Sequence, residues 1–205
     1  MSRKIFAFVA VLSLAPVFSA QAACDVSALI GQARSGERAL QVGSRLGAGD
    51  EVQTGPDSRL RLKCQDGSSL VMAANSRLRI ESFEMSGGQR AEARFQLQLG
   101  LIGQKVASGG GWSVRTPSAV TAVRGTEFTV EVGGDQATAV LMQSGQVDVR
   151  PATAQSRSLM AVLPLVALAG AVGTECRDGK CSPAAPWGEA RVKASGAKPL
   201  GRVVA

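Results

Sequence analysis

The sequence predicts an all-β fold, with short antiparallel strands or hairpins in a twisted stack or sandwich. Three observations carry this. From Val26 to about Arg150 apolar residues recur at every second position. Turn formers punctuate these runs roughly every ten residues, and 24 of the 205 residues are glycine. Alternation at period two places apolar side chains on one strand face and polar ones on the other. Short alternating runs between turn signals mark a sandwich, barrel or coil.

The elements justify themselves in order. Ser58-Arg59-Leu60-Arg61-Leu62-Lys63 and Arg77-Leu78-Arg79-Ile80 alternate cleanly, and so do Phe95-Gln96-Leu97-Gln98-Leu99, Phe128-Thr129-Val130-Glu131-Val132 and Gln146-Val147-Asp148-Val149-Arg150. Between them lie Gly47-Ala48-Gly49-Asp50, Gly55-Pro56-Asp57, Asp66-Gly67-Ser68, Ser86-Gly87-Gly88, Gly109 to Gly111 and Gly133-Gly134-Asp135. No convincing helix precedes residue 150. Asp57-Ser58-Arg59-Leu60-Arg61-Leu62 returns eighteen residues later as Asn75-Ser76-Arg77-Leu78-Arg79-Ile80. Two copies do not make a solenoid. If the two strands are neighbours, Arg59, Arg61, Arg77 and Arg79 form a basic ladder that wants acidic neighbours or an anionic ligand. A solvated strand face, screened by salt, is the simpler reading of the four.

The N-terminus reads as an export signal. Arg3 and Lys4 precede an apolar run from Ile5 to Phe18, and Ala20-Gln21-Ala22 is a small-x-small cleavage pattern. The run is short for a membrane span. An uncleaved anchor, or a lipoprotein acylated at Cys24, are the competing readings; Gln21 stands where lipoprotein processing favours leucine. Cleavage after Ala22 leaves 183 residues, enough for one domain and some tail, and lowers the net charge from +7 to +5.

Composition then excludes chemistry. The chain has no His and no Tyr. Ser-His-Asp and Cys-His nucleophilic arrangements cannot be built, nor can His-containing zinc sites. Paired-carboxylate hydrolysis is formally open, yet nothing among the 16 acidic residues points to it. No catalytic residue, metal or cofactor is expected. The basic balance fits an acidic partner or anionic polymer. Scarce aromatics argue against nucleic acid. Four cysteines in an exported chain read as disulfides and allow three connectivities. The turn-forming Arg177-Asp178-Gly179-Lys180 favours Cys176 with Cys181, which leaves Cys24 with Cys64.

Residues 114–130 are the most informative stretch. They read as a strand entering a Thr116-Pro117 corner, a second short strand, an Arg124-Gly125-Thr126 kink and a third strand. Pro117 removes a ladder donor and Gly125 permits a turn, so the sheet bends at both. The order T-P-x-A-V-x-x-V-R-G-T-x-F resembles the hallmark of the FecR family of bacterial periplasmic domains. Leu46 to Gly55 is similar to that family's G-D-x-(V/I)-x-T-G segment, and Leu141 to Val147 to its closing strand. The resemblance covers about residues 26–150. It implies a FecR-like β domain, and it brings no catalytic residues.

Named members of that family couple an outer-membrane transporter to a cytoplasmic sigma factor through a cytoplasmic segment and a span. Only four residues precede the apolar run here, so a stand-alone exported domain is expected. Arg124, Thr126 and Glu127 are its candidate binding residues. In a structural reading Arg124 pairs locally and Thr126 satisfies freed backbone. In a functional one Arg124 anchors an anionic ligand through its planar fork.

Past Arg150 the pattern changes. Residues 158–174 are uncharged and apolar, a candidate membrane span interrupted by Pro164, Gly170 and Gly173. The expected organisation is a signal peptide over 1–22, the β domain over 23–150, and an apolar segment with its Cys pair over 151–181. A flexible basic tail over 182–205 completes it, so the C-terminal extension is expected to be irregular. The function expected is non-enzymatic binding of an envelope protein or polymer, in the periplasm or cell envelope. The alternative is a membrane-anchored signalling regulator using 158–174.

Overall fold

The computed structural model describes residues 22–152, 166–169 and 172–187, and no helix occurs among them. The predicted signal peptide and most of the apolar segment and basic tail lie outside the described residues. In chain order the strands begin with β1 (Ala22–Ile30), β2 (Ala33–Ser35), β3 (Arg38–Ala39), β4 (Arg45–Gly47), β5 (Glu51–Thr54) and β6 (Arg59–Cys64). They continue with β7 (Ser69–Met72), β8 (Arg77–Ser86), β9 (Gln89–Lys105), β10 (Gly111–Arg115), β11 (Ala119–Val123) and β12 (Glu127–Val132). The last are β13 (Thr138–Ser144), β14 (Gln146–Pro151), β15 (Val166–Ala169), β16 (Val172–Arg177), β17 (Lys180–Cys181) and β18 (Ala185–Pro186).

Two sheets result. The first runs β4-β1-β6-β7-β9-β12-β13-β16, using residues 100–105 of β9, with β17 and β18 added to β16. The second runs β3-β2-β5-β8-β9-β10-β11-β14-β15, using the N-terminal part of β9. All pairings are antiparallel except β9 with β10, which run parallel. That exception, and the 17 residues of β9, depart from a stack of short antiparallel strands. The described part of the extension is also regular: Val166–Ala169 pairs with β14 and Val172–Arg177 with β13, so both sheets continue past Arg150. No helix among the described residues is long and apolar enough to cross a membrane.

Alternation decides which side chains enter the space between the sheets. The first sheet contributes Leu60, Leu62, Leu70, Met72, Ile102, Phe128, Val130, Val140 and Met142. The second contributes Val52, Leu78, Ile80, Phe95, Leu97, Trp112, Val114, Val147 and Val149. None of these is more than 1% exposed. Each large one stabilises the fold by about 1.5–3 kcal/mol relative to exposure.

A repeated corner joins the sheets. Strands β5 and β6, β7 and β8, and β11 and β12 each pass from one sheet to the other through a residue of positive φ followed by a buried hydroxyl. The pairs are Asp57 (φ 51°) with Ser58, Asn75 (φ 53°) with Ser76, and Gly125 (φ 60°) with Thr126. Each hydroxyl donates to the carbonyl two residues back: Pro56 at 2.9 Å, Ala74 at 3.3 Å and Arg124 at 3.2 Å. Each also accepts an N–H from the chain alongside, from Gln32 between β1 and β2 at 2.9 Å, from Leu101 of β9 at 3.0 Å and from Gln146 of β14 at 3.4 Å. Those donors follow Gly31, Gly100 and Gly145, all in the left-handed region. A Cβ on Gly100 would sit 2.6 Å from the Ser76 Cα, so only glycine permits this approach. The two sheets are thus one set of long strands creased along a line of glycines and hydroxyls. The echo noticed in sequence is this corner, and Gly125-Thr126 is its third copy.

Both predicted disulfides are present: Cys24–Cys64 between β1 and β6, and Cys176–Cys181 between β16 and β17.

Candidate binding surface

The three predicted parts of residues 114–130 appear as β10, β11 and β12, with a corner on either side of β11. At the first, Thr116 Oγ1 accepts from the Ala119 N–H at 2.9 Å and lies 2.7 Å from Thr138 Oγ1. Ser118 Oγ contacts Thr138 Oγ1 at 2.7 Å and the Cys176 carbonyl at 3.0 Å. Buried Thr116, Ser118 and Thr138 therefore tie the β10–β11 hairpin of the second sheet to β13 and β16 of the first, away from the crease. At the second corner Thr126, 2% exposed, satisfies the backbone of Arg124 and Gln146. Thr126 thus does what the structural reading assigns to it.

Arg124 and Glu127 differ. Both are exposed, and neither forms a salt bridge among the described residues. Arg124 borders a recess of about 540 Å³ in the second sheet, with Glu92, Trp112, Gln146 and Asp148 on its walls. Two carboxylates beside one guanidinium make that recess mixed in charge.

The basic ladder does not form. Arg59 and Arg61 lie on β6 in the first sheet, while Arg77 and Arg79 lie on β8 in the second. The echo is a corner repeat, and consecutive copies feed opposite sheets. Arg77 approaches Glu51 at 3.6 Å. Arg61 instead joins Lys63 and Lys105 on the outer face of the first sheet. There the three cations border a groove of about 520 Å³ with Glu127 and Gln143. None of the three is salt-bridged among the described residues; Lys63 Nζ donates to the Gly67 carbonyl at 2.6 Å. Lys105 and Glu127 face each other in register.

Sequence reasoning missed one charged residue entirely. Arg90 is 2% exposed and pairs with buried Asp66. Its Nη2 donates to the carbonyls of Ala107 at 3.0 Å and Gly110 at 2.9 Å, and its guanidinium stacks on Trp112. Trp112 in turn donates from Nε1 to Gln104 Oε1 at 2.7 Å. Arg90 follows a Gly-Gly-Gln turn, which reads as surface. Only the register of β9 exposes it to the core.

Two carboxyls are displaced from the ordinary range. Burial pushes Glu131 up. The Ala137 N–H and then the nearby Arg177, at 2.7 Å, hold Asp135 down. No group of His, Cys, Asp and Glu among the described residues could hold a metal ion.

Comparison with known proteins agrees with this frame. The FecR protein family model matches residues 50–148. No curated protein matches. Two crystal structures of a "putative anti-sigma factor" from Parabacteroides distasonis, at 1.65 and 2.50 Å resolution, share the fold. Each superposes with a TM-score of 0.54 at 18% identity over 70% of this chain. The chain spans 63% and 62% of those two chains. The matched span, just under half of the chain, holds the Thr116 and Thr126 corners and the strands from β6 to β13, and over it the chain is similar to the FecR family.

Proposed function

We propose that this is a non-enzymatic, exported FecR-like domain that binds another component of the cell envelope, a protein or an anionic polymer. One observation carries this reading: the motif divides its labour. Its hydroxyls are buried and committed to the frame. The charged residues around it, Arg124 and Glu127 together with Arg61, Lys63 and Lys105, stand at the rims of surface recesses. A rigid frame presenting uncommitted charge is suited to recognition, since little ordering cost remains at the moment of contact.

Crosslinking and pull-down of the mature, oxidised protein from an envelope fraction tests the proposal. Specific capture of one envelope component, competed by excess unlabelled domain, is expected. Recovery of nothing that competes overturns it. Capture of only polysaccharide or lipid removes the protein-partner version.

A further inference from the structure

We infer that the outer face of the first sheet is a docking groove for an acidic, extended segment of a partner protein. The inference rests on the binding-module reading and assigns it a surface and a ligand chemistry.

Strand register builds the groove. Arg61, Val71, Gly103, Thr129 and Leu141 are consecutive cross-strand partners from β6 to β13, so they form one row on one face. Alternation points that face away from the core. Yet Val71, Thr129 and Leu141 are only 6–7% exposed. Of this row Val71, Gly103 and Thr129 line the groove beside Arg61 and form its recessed floor, which Gly103, with no side chain, deepens. Beside it Lys63, Ser69, Lys105 and Glu127 form a second registered row. Arg61, Lys63 and Lys105 bring three positive charges to this groove against the single carboxylate of Glu127.

The occupant follows from complementarity. A recessed apolar floor takes aliphatic side chains, and the cations beside it take carboxylates, Arg61 bidentately. Sugars and bases need exposed aromatic platforms. Among the described residues that line this groove the one aromatic is Phe128, and it turns its ring into the core at 1% exposure. A flat bilayer would meet the rim and leave the floor empty. The chain's own C-terminal residues carry Arg191, Lys193, Lys198 and Arg202, which the same cations repel.

The test uses the mature full-length protein with both disulfides formed. The probe is a fluorescein-labelled dodecapeptide alternating glutamate with valine, followed by anisotropy at low salt. Wild type is expected to bind, with affinity falling as salt rises. R61E/K105E should weaken binding about tenfold or more, which corresponds to about 1.4 kcal/mol per decade. R79E/R150E, the same charge change on exposed residues of the second sheet, should stay within about twofold. Thermal melts confirm folding, and R61Q/K105Q replaces the reversal if it melts early.

Four outcomes with the purified protein overturn the inference. One is no peptide binding by wild type, and another is equal losses in both double variants. The third is stronger groove-dependent binding to phosphatidylglycerol vesicles than to the peptide. The last is a wild-type dimer that R61E/K105E dissociates. If the envelope component captured by wild type is still captured by R61E/K105E, the groove assignment falls while the binding-module reading stands.

Discussion

Thr126 and Arg124 lie two positions apart and answer different questions. Thr126→Ala removes the acceptor for Gln146 and the donor to Arg124 and Gln146, leaving part-buried backbone groups without this partner. A loss of about 1–3 kcal/mol is expected in urea unfolding, with Thr126→Ser retaining most of the stability. Arg124→Ala removes an exposed side chain and should stay within about 0.5 kcal/mol of wild type in the same measurement. Arg90→Ala is the severe case. It strands Asp66 in the core and should cost about 3–5 kcal/mol, read as a large fall in Tm. Glu131→Gln should do the opposite. Burial raises the Glu131 pKa, so the folded state carries a penalty whenever that group is ionised. The penalty is present at neutral pH and disappears as pH falls below the ordinary glutamate value of 4.5. Melting curves should therefore show E131Q the more stable at pH 7, with the gap closing in acid.

At the scale of elements, the disulfides staple different lengths of chain. Cys24 and Cys64 are 40 residues apart, Cys176 and Cys181 only 5. Loop-closure entropy then predicts losses of about 4 kcal/mol for C24S/C64S and about 2 kcal/mol for C176S/C181S. Chemical denaturation of the two double variants checks the order. The crease depends on glycine in the same element-wide manner. Gly100→Ala, with φ at 90° and Ser76 in the way, should destabilise more than an alanine at Gly134, where nothing lies within 4 Å. Strand existence was legible because alternation is a local property: β6, β12 and β14 fall where their alternating runs stand. The third corner was not. Gly125-Thr126 shares backbone geometry with Asp57-Ser58 and Asn75-Ser76 without sharing their residues, since several residue types reach positive φ. The parallel β9–β10 pair gives no signal in either strand alone.

Across the whole molecule, the creased sheet explains why the four arginines separate and why three other cations meet. A strand entering the crease leaves it in the other sheet, so residues near in sequence part company there. Lys105, from the end of β9, meanwhile arrives beside Arg61 and Lys63 because β7 bridges β6 to β9. The groove was invisible for that reason, while its individual charges were plain. By itself the sequence determined the all-β class, the faces of the main strands and the FecR resemblance, and it favoured one of three disulfide pairings, which the structure then decided. Each rests on local spacing or on a contiguous motif. Only the tertiary structure decided strand neighbours, the burial of Arg90 and the convergence of Arg61, Lys63 and Lys105. Alternation states which way a side chain points but not which strand lies beside it. That is set by long-range packing, since core burial and hydrogen-bond closure must be satisfied together across residues far apart in the chain.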